Sequence, residues 1–150
     1  FIALLFAGFG WGVPVEIDQR YYKHRRADEF IVAIAGVTTN FIIAAVFAFI
    51  IRMMSKNMSY DFYMGIGGTI LEIFVYIVAI NIILMIFNLL PVPPLDGFGI
   101  ITQIFDLRKY NWYYTLYNNG FFILMIMIIF NITDKIIDPL YDFFMNLLLW

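Results

Sequence analysis

From Ile66 to Leu90 the chain runs about 25 residues with a single charge, Glu72, and then breaks on three prolines in Asn88-Leu89-Leu90-Pro91-Val92-Pro93-Pro94-Leu95-Asp96-Gly97. A helix of that length crosses the hydrocarbon core of a bilayer. Inside hydrocarbon each unpaired backbone polar group costs several kcal/mol, so a break there survives only where protein or a watery cavity covers it. An acid delivered by such a break points to a buried site. Spacing alone leaves a second reading open, in which Pro91 stops a helix and Asp96 opens a solvated loop.

Composition sets the class. With 63% hydrophobic residues, a mean hydropathy of +0.87 and 13% charged residues, 150 residues carry more apolar surface than a soluble domain can bury. The chain is therefore expected to be an integral membrane protein. It has no cysteine and one histidine, His24, so metal ligands have to be oxygen or nitrogen donors. A net charge of −2 excludes nucleic acid as a partner, since phosphate neutralisation requires clustered Lys and Arg in excess. Phe1 is not a methionine and opens an apolar run, which predicts an amino-terminal truncation inside a membrane element. A signal-peptide remnant over Phe1 to Phe9 lacks the basic flank and the small-residue cleavage site.

The predicted architecture is an all-α polytopic membrane protein, read as one membrane domain over residues 1–150. Phe30 to Met54 and Ile66 to Leu90 are predicted spans, and Leu116 to Ile132 is a third. Ile136 to Trp150 carries Asp138, Pro139 and Asp142, and three readings stay open: a tilted fourth span, a truncated terminal helix, or an amphipathic interfacial helix. Arg20, Lys23, Arg25 and Arg26 precede the first span, and Arg108 and Lys109 follow the break. The positive-inside rule therefore places both basic loops, and Asp96 near them, on the cytoplasmic side of the cell membrane. The cluster Arg20 to Arg26 also suits anionic lipid headgroups, although a topology determinant is the simpler reading.

Both long helices carry small or polar residues. Ala33, Gly36, Asn40, Ala44 and Ala48 recur at spacings of three and four and form one narrow face that should meet another helix. Asn81 and Asn88 share one side of the second helix. Asn88 is expected to share a pocket with Asp96, and Asn81 to make only a helix-to-helix hydrogen bond. Glu72 projects from another face and is not expected to be catalytic.

Three segments resemble, in order, the site-2 proteases, which are intramembrane zinc metalloproteases. The resemblance is to their compact bacterial and archaeal type. Phe9-Gly10-Trp11-Gly12-Val13-Pro14-Val15 is similar to the segment that follows the family's zinc-binding helix. Arg26 to Asn40 is similar to the stretch leading into the alanine-glycine-proline-x-x-asparagine helix, here Ala35-Gly36-Val37-Thr38-Thr39-Asn40. Asn88 to Gly97 resembles the asparagine-x-x-proline through leucine-aspartate-glycine motif and is the most specific of the three. The resemblance implies a Zn2+ ion held by two histidines of an HExxH helix and by Asp96, with the HExxH glutamate as general base. It also implies supporting roles for Asn40 and Asn88, and a short membrane-associated β-hairpin over Trp11 to Ile17 whose edge pairs with an extended substrate. The implied partners are a transmembrane protein substrate and the lipid bilayer.

Two departures qualify the resemblance. No HExxH occurs in these 150 residues, and His24, beside Lys23 and Arg25, has neither the glutamate nor the second histidine that the motif requires. The expectation is that the HExxH helix lies upstream and that this chain carries the other half of the site. Val37 replaces the family's proline, which lets the helix keep its hydrogen bond. Two other readings fit parts of the sequence. A pseudoprotease would bind membrane clients without cutting them. A small transporter or channel subunit would need paired broken helices, and only one break is seen.

Overall fold

The computed structural model describes Lys23 and residues 25–150, and every described element is helical. Helix α1, Arg25–Asn57, turns at Met58 and Ser59 into a short helical turn, Tyr60–Phe62, capped by the Ser59 hydroxyl. A π-type turn, Tyr63–Gly67, follows and kinks at Gly65, whose φ of −99° and ψ of −136° are not helical. Helix α2, Gly68–Asn88, ends at the prolines. Helix α3 is Asp96–Phe105, α4 is Asn111–Ile129 and α5 is Ile132–Leu149.

Three of these helices are long and apolar enough to cross a membrane: Arg26–Asn57, Tyr60–Asn88 and Asn111–Ile129. They match the three predicted spans, with α1 longer at both ends and α4 starting five residues early. Much of their apolar surface is exposed, with Ile31, Phe49 and Ile129 all above 60%, as expected of faces that meet lipid rather than a protein core. Helix α5 falls short of a span because Asp134, Lys135, Asp138 and Asp142 interrupt it. The hairpin expected over Trp11 to Ile17, the segment Phe9 to Val15 and His24 lie outside the described residues.

Helices α1 and α2 form an antiparallel hairpin with the main core between them. Ala44 and Ala48 are 0% and 2% exposed and pack with Val37 against Val78, Ile82, Met85 and Ile86. The small-residue face of α1 therefore meets another helix, as its spacing implied. Phe47 meets Phe74 edge to face across the hairpin. Helix α1 also runs unbroken through Val37, as expected of a chain without proline there. Helix α5 lies across this pair, with Phe144 against Phe41 and the Leu147 carbonyl accepting a 3.1 Å hydrogen bond from Arg52.

The break after α2 is satisfied from within. Of residues 89–95, the four that carry an amide hydrogen each donate it to a carbonyl. Leu89 donates to Met85 and Ile86, Leu90 to Phe87, Val92 to Leu90 and Leu95 to Val92, at 2.8 to 3.1 Å. Pro91, Pro93 and Pro94 occupy the positions where no donor is needed. One side of the loop is packed, with Leu90, Val92 and Pro93 buried, while Leu89, Pro91 and Pro94 are exposed on the other.

Two glycines make that packing possible. A Cβ on Gly97 would lie 2.2 Å from the Leu89 carbonyl oxygen, and one on Gly120 of α4 would lie 2.4 Å from the Pro93 Cβ. Gly99 differs, since a Cβ there would meet the Ala33 Cβ at an ordinary 3.6 Å. Replacement of Gly97 or Gly120 by Ala is expected to cost about 1–3 kcal/mol through overpacking against fixed backbone. Gly99→Ala should be neutral or stabilising, because Ala is the better helix former by up to about 1 kcal/mol. Unfolding of the three variants in detergent, followed by helix content, checks this order.

Candidate functional site

Asp96 is the first residue of α3, not part of a loop. The basic loop expected over residues 98–118 is instead helical over most of its length. Residues 96–105 contain no proline beyond the break and fold as an amphipathic helix too short to register as a span. Leu95, in extended conformation, precedes the helix, and the Phe98 amide bonds back to the Leu95 carbonyl at 3.1 Å. The packed loop thus fixes the direction in which α3 starts.

The carboxylate of Asp96 faces α1 where that helix has no side chain. A Cβ on Gly36 would stand 3.2 Å from Asp96 Oδ2, tighter than an ordinary contact. Asp96 is half-buried, and among the described residues no hydrogen bond or ion pair engages its carboxylate. Burial pushes its pKa above the ordinary carboxylate value. A carboxylate with free lone pairs, held toward a gap in a helix surface, has the character of a metal ligand, and a cation there would favour its ionised form.

The asparagines divide. Asn40 lies one turn beyond Gly36 on the same face of α1, and Asn88 is the last residue of α2 before the break. Both are half-buried, and among the described residues neither amide has a hydrogen-bond partner. The expected sharing of a pocket by Asn88 and Asp96 finds no direct bond between them among the described residues. Asn81 was expected to bridge two helices and instead donates to the Ile77 carbonyl of its own helix at 2.8 Å. Its amide is satisfied one turn back, so no partner helix is required. Among the described residues no three His, Cys, Asp or Glu side chains gather to hold a metal ion.

A second polar group, not singled out from the sequence, ties α3 to α1. Glu29 Oε2 accepts hydrogen bonds from Gln103 Nε2 and from Arg108 Nη2. Arg26 donates to the Gln103 carbonyl at 2.6 Å and approaches Asp106 at 3.8 Å. Arg108 had been read only as part of a basic loop. The useful signal was a buried-type glutamine, Gln103, on the apolar side of a short helix. A larger cleft of about 690 Å³, lined by Phe49, Met53, Met54, Met58 and Phe62, lies at the far end of α1 and carries no titratable group.

Comparison with known proteins places the same stretch of chain in a family. Residues 65–130, which hold α2, the break, α3 and most of α4, match the model of peptidase family M50. Over 106 residues the chain is 36% identical to the Bacillus subtilis (strain 168) protein named "Putative zinc metalloprotease YwhC". That match covers 69% of this chain and 47% of the relative, so the chain spans about half the length of the curated protein it matches. No solved structure matches with statistical significance.

Because Asn81 bonds only to its own helix, Asn81→Leu should leave unfolding in detergent within about 0.5 kcal/mol of the parent. A loss several times larger would show an interhelical role. These matches, with three helices long and apolar enough to cross a membrane, identify the chain as a multi-pass membrane protein of peptidase family M50, the site-2 protease family.

Proposed function

We propose that this chain supplies the aspartate-bearing half of an intramembrane zinc metalloprotease of the site-2 type. The protein would hydrolyse peptide bonds within or beside the transmembrane segment of client membrane proteins. One observation carries the reading: a break packed on one side by protein delivers the Asp96 carboxylate, without a partner among the described residues, to the gap at Gly36.

In this reading Asp96 is one zinc ligand, and the histidines and glutamate that the family resemblance implies are not among these 150 residues. When bound, zinc supplies a water of lowered pKa as nucleophile. Gly36 leaves room beside the carboxylate, and the turn at residues 89–95 sets the direction in which α3 leaves the break. Asn40 and Asn88 border the same region with amides free to bond to ligands or to a client backbone. Arg26, Arg108 and Lys109 lie at one end of the bundle, which is assigned to the cytoplasm, so that Asp96 sits toward that side.

Replacement Asp96→Asn keeps size and removes the charge. In the full-length protein it is expected to abolish cleavage of a membrane-spanning substrate and to weaken zinc binding at least about 100-fold, with unfolding unchanged. Asn40→Ala and Asn88→Ala should each slow cleavage about tenfold while the fold persists. Unchanged cleavage and zinc content in Asp96→Asn would remove the ligand assignment. A protein that binds clients equally well with and without Asp96, and cuts in neither case, would be a client-binding pseudoprotease.

A further inference from the structure

Helices α1 and α3 touch along a face of small residues, and that face does not fix where one helix stops on the other. Three pairs define the observed register: Asp96 against Gly36, Gly99 against Ala33, and Gln103 against Glu29. They step up α3 as they step down α1, so the helices run antiparallel. On α3 the three positions lie at i, i+3 and i+7, one face of one helix. Within the stretch of α1 that α3 meets, Ala33 and Gly36 are both small and one turn apart, so a shift of one turn would set Gly99 against Gly36 and Gln103 against Ala33. A slide of one turn, about 5.4 Å, would again bring small side chains together. Close packing therefore permits more than one register.

Hydrogen bonding does not. Glu29 has a side chain only 11% exposed, and Gln103 is 8% exposed. In a half-dry setting the loss of charge-assisted hydrogen bonds is costly, and a slide of one turn would break the Gln103 and Arg108 bonds to Glu29 together. Buried polar pairs of this kind set register in packed helices at some cost in stability.

We propose that Glu29 is a positioning residue for the metal ligand. Through Gln103 and Arg108 it locks α3 in register on α1 and so sets the Asp96 carboxylate at Gly36. The part concerning zinc rests on the function proposed above, whereas the register itself does not.

The test uses the absence of cysteine from these 150 residues. With Ala33→Cys and Gly99→Cys in a full-length protein otherwise free of cysteine, the two Cβ atoms lie near 3.6 Å, within the range of a disulfide. Mild oxidation in native membranes then reads the register without reference to activity. Added to this pair, Glu29→Ala is expected to cut the cross-linking yield severalfold, whereas Glu29→Gln, which keeps an acceptor oxygen for Gln103 and Arg108, should preserve it. Without the cysteines, Glu29→Ala should weaken zinc binding about tenfold, with Glu29→Gln close to the parent. Should Glu29→Ala fail to fold, Gln103→Leu carries the test, since it removes the donor and nearly keeps the volume. Full cross-linking in these variants would overturn the proposal, as would lost cross-linking with unaltered zinc affinity in a protein whose zinc depends on Asp96. If Asp96→Asn leaves zinc unaltered while Glu29→Ala still loses the cross-link, the ligand assignment fails and the register role stands.

Discussion

A chain that stops being helical at membrane depth has to satisfy its own amides, because hydrocarbon offers none of the partners that water would. Here the requirement falls on residues 89–95. Prolines remove three donors, turns pair the other four, and α4 packs against the buried side of the loop where Gly120 meets Pro93. Gly97 and Gly120 are small for this reason. A side chain at either position would crowd the loop backbone and weaken the packing that holds the break.

The remainder of the fold brings that carboxylate to a particular place. The α1–α2 hairpin, sealed by Ala44 and Ala48, gives a rigid wall, and α3 returns along the lower part of the same wall. Asp96 therefore reaches α1 at Gly36, where no side chain competes for the space. A polar clasp ten or so ångströms away, at the other end of α3, holds the arrangement at a set height. The site is thus assembled from a gap, a break and a clasp, each on a different stretch of sequence.

Much of this was legible in the residues themselves. Long apolar runs gave the three spans, because hydropathy over some 20 residues is a strong local signal. Asp96 stood out because three prolines and an acid rarely follow such a run without purpose. The small face of α1 was visible as a spacing. What could not be read was long-range pairing: nothing local in Glu29 announces Gln103, which lies 74 residues away. Helix α3 was missed since ten residues are too few to span. Asn81 was misjudged because an asparagine within a helix can satisfy itself on the preceding turn, and sequence does not tell which carbonyl it will choose.

The central claim is that Asp96 is a zinc ligand placed by the break after α2. X-ray absorption at the zinc edge, on the purified full-length protein and its Asp96→Ala variant, tests it most directly. The account predicts one zinc per protein with an oxygen and nitrogen coordination shell in the parent, and an altered shell or lost zinc in the variant. Identical spectra at full occupancy in both would contradict it.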